Sequence, residues 1–338
     1  MPINFDSTPN RRDPNVKNKW TWYPNDVLPM WVADMDFPAP KPILDELHKV
    51  VNQGVLGYEM PSQSLQETVA KRMDRLYRWK VQPDSVVAVT GIVSGFNVAA
   101  RAFGSKKKGI LVQPPVYNEF HEVKNNVGIS QVNAPLVKRV DGNILSYEID
   151  WDVFKKQVKK AGIFLLCNPH NPLGIIFSRK DLLQMAKICI ENNVLIASDE
   201  IHSELLLDDH TFTPMSKLSS EIAQHTITLI APSKTFNVAG LFCGFAIIPN
   251  EKLRLRYDKE VNQLRLHVSS LGLHAARIAY SGQCDGWLKE LRRYLTGNRD
   301  FLVNYVTEYM PGVRTTIPDA TYLAWLDFTE LKLKKSPF

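Results

Sequence analysis

Lys234 stands in Ala231-Pro232-Ser233-Lys234-Thr235-Phe236-Asn237-Val238-Ala239-Gly240-Leu241, directly after the apolar run Ile227 to Ile230. A lysine that follows a strand-like run and is hemmed in by small residues, hydroxyls and a glycine belongs to a strand end, not to a solvated helix face. A partly desolvated amine there sheds its proton more readily than in water and can condense with an aldehyde. Taken alone, Lys234 reads more readily as a surface lysine of a Ser/Thr-rich turn. Two further segments bear on the choice. Val194-Leu195-Ile196-Ala197-Ser198 ends in Asp199-Glu200-Ile201-His202, and Ile163-Phe164-Leu165-Leu166-Cys167 ends in Asn168-Pro169-His170-Asn171-Pro172-Leu173-Gly174. Three apolar strands thus discharge polar residues at their carboxyl ends, the edge at which α/β sheets bind ligands.

An Asn, then an Asp, then a Ser-Lys pair, each after a strand, resembles the fold-type I pyridoxal-phosphate enzymes of the class I/II aminotransferase superfamily. The segments CNPHNPLG, SDEIHSE and APSKTFNVAGL, with Trp31-Val32-Ala33-Asp34-Met35-Asp36-Phe37 near the start, are similar to one branch, the cystathionine β-lyase-like carbon–sulfur lyases. The resemblance runs from about Phe5 to the last residues.

The resemblance implies that Lys234, with Ser233 beside it, holds pyridoxal 5'-phosphate covalently and becomes a general base once a substrate amine displaces it. It implies that Asp199 keeps the ring nitrogen protonated, so that the ring accepts the electron pair left by the α-proton. Asn171 then hydrogen-bonds the ring's phenolic oxygen, with His202 near the same atom, while Tyr117 stacks on one ring face and Ile201 packs against the other. For His202 and His170 a satisfied polar residue beside a strand end is an equal reading. The phosphate is expected at Gly91-Ile92-Val93-Ser94-Gly95, where a Gly-flanked turn before a helix offers the amides of Ile92, Val93 and Ser94. Tyr58, an aromatic in a loop by sequence alone, is implied to reach across a homodimer interface to the phosphate of the other subunit. The implied reaction is β-elimination on cystathionine or cysteine-like amino acids, giving a thiol, a 2-oxo acid and ammonia. An aminotransferase shares every step up to the carbanion, and a non-catalytic regulator that binds another protein is the third reading.

The elements that must position these residues follow from the pattern. From Val86 to Ala279 strand and helix alternate, which predicts an α/β, three-layer sandwich with a mostly parallel central sheet, joined by a smaller α+β domain built from both termini. The expected division is an arm and part of the small domain over 1–45, a cofactor-binding large domain over 46–283, and a small domain over 284–338. Helices are expected at Pro42 to Gln53, at Ser64 to Lys80 with Ser64 and Glu67 as a capping box, at Phe96 to Phe103, and as long amphipathic runs at Glu251 to Leu266, Ser270 to Ser281 and Gly286 to Tyr309. A strand is expected at Tyr322 to Phe328, and Trp20, Trp22 and Trp31 are expected to anchor the arm by packing.

The 338 residues, 44% hydrophobic and 22% charged, suit a globular chain with a sizeable core. The net charge of +6 is spread out, with short runs only at Lys106 to Lys108 and Lys332 to Lys335, neither interleaved with aromatics, so nucleic acid is not an expected partner. Cys167, Cys189, Cys243 and Cys284 form no CxxC pair and read as buried thiols of a reducing compartment. No apolar run is long enough to span a bilayer, and a cytoplasmic location is expected. Departures from the resembling branch are Asn118 and Glu119 after Tyr117, where many relatives have a second aromatic, and Ile175 after the glycine of NPHNPLG. Relatives also continue past the strand at Tyr322 to Phe328 and supply there an arginine for the substrate carboxylate. The small domain is therefore expected to be incomplete, and no arginine is nominated.

Overall fold

The apolar runs become the strands of one sheet. A computed structural model describes residues 3–334 and places β1 at Val86–Val89, β2 at Gly109–Val112, β3 at Gln131–Asn133, β4 at Leu136–Asp141, β5 at Ile144–Ile149 and β6 at Ala161–Cys167. It continues with β7 at Leu195–Asp199, β8 at Thr226–Ile230, β9 at Gly244–Ile247, β10 at Arg314–Thr316 and β11 at Leu326–Asp327. Seven strands line up in the order β1-β9-β8-β7-β6-β2-β3. From β8 to β3 every pair is parallel, and β9 alone runs against both of its neighbours. Consequently β1, β2, β6, β7 and β8 all present their carboxyl ends at one edge.

Both faces of this sheet are covered, which is why its strands are continuously apolar. Along β6, Ile163, Leu165 and Cys167 enter one apolar cluster while Phe164 and Leu166 enter another, the two-residue alternation of a pleated strand. Phe96 of the helix Ile92–Phe103 and Tyr257 of the helix Glu251–Gln263 close the first cluster. Phe154 of the helix Trp151–Val158 and Met185 of the helix Arg179–Glu191 close the second. The result is the expected three-layer α/β arrangement.

A second sheet, in the order β11-β10-β5-β4, joins the last strands to a hairpin from the middle of the chain. β4 and β5 pair antiparallel around Gly142, whose φ of +56° suits so tight a turn. Alternation of strand and helix does not reveal this hairpin, because only Leu136 and Leu145 on it are buried and its apolar signal is weak.

Several expectations shift. The helix expected from Ser64 spans Gln63–Tyr77, and its cap is Ser62, whose extended backbone lets its side chain accept from the Leu65 amide at 3.3 Å; Ser64 is already helical and cannot cap. The helix expected from Phe96 begins at Ile92, because Gly91 supplies the entry turn. The seven-residue strand at Tyr322 to Phe328 shrinks to Leu326–Asp327, the two residues that pair with β10, while the Tyr322 hydroxyl and the Leu323 amide bond to loop atoms. Trp22 and Trp31 pack on each other, ring centroids 5.5 Å apart, and remain half exposed instead of anchoring the arm; Phe5 does so, wedged against Phe37 and Trp287. The helices at Ser270–Ser281 and Asp285–Tyr309 stand where the periodicity puts them. Lys335, the last of the terminal lysine run, lies outside the described residues.

A third apolar cluster gathers the helices Lys41–Asn52, Gln63–Tyr77, Ser270–Ser281 and Asp285–Tyr309 beside the sheet. Arg72 is fully enclosed within it. Its guanidinium grips both oxygens of the buried Glu204 and donates to Asp285 Oδ1 at 2.5 Å, with the Phe236 ring 5.7 Å away. Phe236 lies two residues beyond Lys234, so this ion pair supports the far side of the lysine turn. Removing one partner of a buried pair strands the other charge, at about 3–5 kcal/mol. Arg72→Ala is therefore expected to lose about that much stability in urea unfolding, whereas Arg139→Ala, which breaks the exposed pair with Glu148, shifts it by less than about 1 kcal/mol.

Candidate active site

Four neighbouring strands of the sheet, β8, β7, β6 and β2, release Lys234, Asp199, Asn171 and Tyr117 in that order. The ladder continues past the strand ends, with the Asn168 amide donating to Asp199 O at 3.0 Å and the Glu200 amide to Leu229 O at 2.9 Å. The Tyr117 amide donates to Asn171 O at 3.0 Å, tying the loop after β2 to the loop after β6. Asn171 spends its backbone on these links, its own amide meeting Cys167 Sγ at 3.3 Å.

Lys234 sits in the one-turn helix Pro232–Thr235 that follows β8, partly buried. Its Nζ donates to Ala33 O at 2.5 Å. Burial lowers its proton affinity, and the charges of Asp34 and Asp199 oppose that shift without cancelling it. Asp199 is buried, and burial raises its carboxyl to about 7, held back by the Ile201 amide on Oδ1 at 3.1 Å and by the charge of Lys234. The amine is thus moved toward its neutral form and the acid toward its protonated form.

His202, the residue after Ile201, is buried, and burial together with the charge of Lys234 lowers it to about 3, so the ring is neutral. His170 is buried edge-on to Phe177 and is lowered by burial to about 4. Tyr117 and Ile201 are partly buried and pack on the same apolar cluster. Glu119 and Asp199 add their charges to the burial that raises the Tyr117 phenol. Across β9, Ile92, Val93 and Ser94 form the first turn of a twelve-residue helix, where amides have no intrahelical partner. Ser233 uses its carbonyl to accept from the Val238 amide. Tyr58 is fully exposed in the loop between the helices Lys41–Asn52 and Gln63–Tyr77.

Sequence reasoning missed the wall opposite the strand ends, which the N-terminal arm builds. Asn237 clamps the arm, its side-chain oxygen accepting from the Met35 amide at 3.1 Å and its Nδ2 donating to Met35 O at 2.9 Å and Phe37 O at 2.7 Å. On the other side Arg11 bridges Asp34 and Asp36, and the buried Lys19 lies 2.8 Å from Asp34 Oδ1 and 3.0 Å from Asp36 Oδ2. Ala33 is therefore fixed between two anchors. The acids of Trp31 to Phe37 and the cations Arg11 and Lys19 were visible signals, but only folding shows that they meet over Lys234.

The buried acid has a measurable consequence. The native state holds the Asp199 proton more tightly than the unfolded chain, whose carboxyl keeps the ordinary value of 3.8. Its stability contribution is complete below that value and is lost as pH rises toward 7. Glu200, raised by burial to about 8, acts in the same direction. In urea unfolding of cofactor-free protein, Asp199→Asn should lessen the fall in stability between pH 4 and 7 by up to about 4 kcal/mol, at about 1.4 kcal/mol per tenfold change in proton affinity. An unchanged slope would show that the acid is not buried in solution.

The chain matches the family described as Aminotransferase class I and II over residues 29–336. It is 38% identical over 307 residues to cystathionine beta-lyase PatB of Bacillus subtilis, covering 90% of this chain and 78% of that protein. It is 32% identical over 319 residues to cystathionine beta-lyase of Corynebacterium glutamicum, covering 94% of this chain and 83% of that one. The structure superposes on cystalysin from Treponema denticola, which contains a pyridoxal 5'-phosphate cofactor, with a TM-score of 0.91 at 29% identity over 98% of this chain and 86% of that chain. With its family match spanning most of the sequence, this chain belongs to the class I and II aminotransferase family.

Proposed function

We propose that this protein is a pyridoxal-phosphate-dependent carbon–sulfur β-lyase acting on cystathionine or cysteine-like amino acids. The observation that carries the reading is the pairing, on adjacent strand ends, of a desolvated Lys234 amine with a buried Asp199 of raised proton affinity. The donor set fits pyridoxal phosphate. Lys234 is the amine for its aldehyde, Asp199 the acid for its ring nitrogen, and the amides of Ile92, Val93 and Ser94 the donors for its phosphate. Asn171 is the donor to the ring oxygen with neutral His202 near it, while Tyr117 and Ile201 enclose the ring faces. When bound, the cofactor serves as an electron sink for the α-carbon of an amino acid.

Each residue then has a defined task. Lys234, with its amine free, would take the α-proton at Nζ, and its depressed proton affinity favours the neutral amine more than in a solvated lysine. Asp199, whose raised proton affinity lets it hold a proton in the cofactor-free protein, would share that proton with the ring nitrogen and so keep the nitrogen positive. Departure of the sulfur substituent from the β-carbon as a thiolate, followed by hydrolysis, gives a thiol, a 2-oxo acid and ammonia. The names of the relatives favour this outcome over amino transfer.

The loop around Tyr58 supports a homodimer as the working form. Val55, Leu56, Tyr58 and Met60 are all largely exposed in the single chain, more apolar surface than one loop commonly leaves in water. Four buried free cysteines support a reducing compartment, the cytoplasm. Among the described residues no helix is long and apolar enough to cross a membrane.

Borohydride treatment of the loaded protein should fix the cofactor mass on the peptide that contains Lys234, and Lys234→Ala should show neither that adduct nor visible absorption. Wild type should release pyruvate from cystathionine. Transfer of the amino group to a 2-oxo acid without pyruvate would replace the lyase by an aminotransferase. Sedimentation should give the mass of two chains, and Leu56→Asp should shift it toward one.

A further inference from the structure

Tyr322 belongs to none of the strand ends, yet its hydroxyl reaches the centre of the site. It donates to Ala33 O at 2.9 Å, the same oxygen that accepts from Lys234 Nζ at 2.5 Å. The His202 ring stands edge-on to it at 6.2 Å. The approach to Tyr322 is held from two sides. The amides of Asp319 and Ala320 donate to Gly174 O at 2.9 and 3.0 Å, and the Thr321 amide donates to Leu205 O at 2.8 Å. Gly174 closes the loop that carries Asn171, and Leu205 lies three residues beyond His202, so the loops after β6 and β7 together place the tyrosine. Thr321 turns the chain at a φ of +76°. A β-branched residue avoids that conformation unless its surroundings impose it, and such strain gathers at functional sites.

We propose that Tyr322 is a positioning residue for Lys234, its hydroxyl fixing the Ala33 carbonyl as the acceptor that holds the lysine amine while that amine is free. The inference rests on Lys234 being the base proposed above. A carbonyl oxygen has two lone pairs, and here one serves the phenol and one the amine. A lysine side chain has large rotamer freedom, so an amine released by substrate needs a fixed partner to stay over the α-carbon. Ala33 contributes through its backbone, which side-chain substitution leaves in place; Tyr322 is the handle on it. The contact is not needed while the amine is joined to the cofactor, so the tyrosine acts on turnover and not on loading. The step affected is transfer of the α-proton from carbon to Nζ of Lys234.

Tyr322→Phe in the holoenzyme removes only the hydroxyl. Cofactor affinity and visible absorption should stay within about twofold of wild type, and KM likewise. The kcat should fall by about 3- to 10-fold, the scale of one neutral hydrogen bond, and the isotope effect with α-deuterated substrate should rise as proton transfer becomes more rate-limiting. An unchanged kcat, a loss matched by lost cofactor, or a fall in kcat at an unchanged isotope effect would each overturn the proposal, the last by assigning Tyr322 to structural support alone. Wild type that yields no borohydride adduct at Lys234 would instead overturn the parent reading.

Discussion

One amine kept out of water organises this molecule. Burial pulls the proton affinity of Lys234 down and the acids around it pull it up; the structure sets the two against each other, with Asp34 and Asp199 opposing a larger desolvation effect. That balance needs walls on several sides. The sheet supplies the floor through β7 and β8, the Arg72 and Glu204 pair supports the turn from behind through Phe236, and the arm brings Ala33 down on the amine.

The arm shows how an irregular segment acquires a fixed place. Residues 33–37 have no sheet partner, so their backbone groups must be satisfied by side chains. Asn237 meets three of them, at Met35 and Phe37, and Lys19 meets the carbonyl of Asp34 at 2.8 Å. Asn237 itself stands at a φ of +56°, a left-handed conformation that asparagine tolerates better than most residues. The turn that carries the lysine therefore also carries the clamp for the segment covering it, and a displacement of one moves the other.

The acids at the carboxyl ends of the sheet separate by environment. Asp199 and Glu200 follow each other in sequence and are both raised by burial, but Glu200 turns away to accept from Ser198 Oγ and the Met215 amide, both at 2.9 Å. Its hydrogen bonds belong to the scaffold. Asp199 accepts a single backbone amide at Oδ1 and keeps the remainder of its carboxyl for the site. Adjacent carboxylates thus serve different ends because a strand sends successive side chains to opposite faces.

The strand ends were legible without coordinates, because a parallel sheet covered on both faces requires continuous apolar runs, and polar residues that follow such runs mark its carboxyl edge. Lys234, Asp199 and Asn171 could be placed on that edge from order alone, Tyr117 came with the family resemblance, and the long helices followed from their periodicity. What only the tertiary structure decided is the other half of the site. Ala33 and Tyr322 lie 289 residues apart in hydrogen-bond separation and share one oxygen with Lys234. Neither shows a period, a cap or a charge pattern, since a backbone carbonyl has no sequence signature and a tyrosine in a loop looks like any other. The hairpin β4–β5 escaped for a related reason: its partner β10 comes from the far end of the chain, and pairing between distant segments is fixed by packing rather than by local pattern.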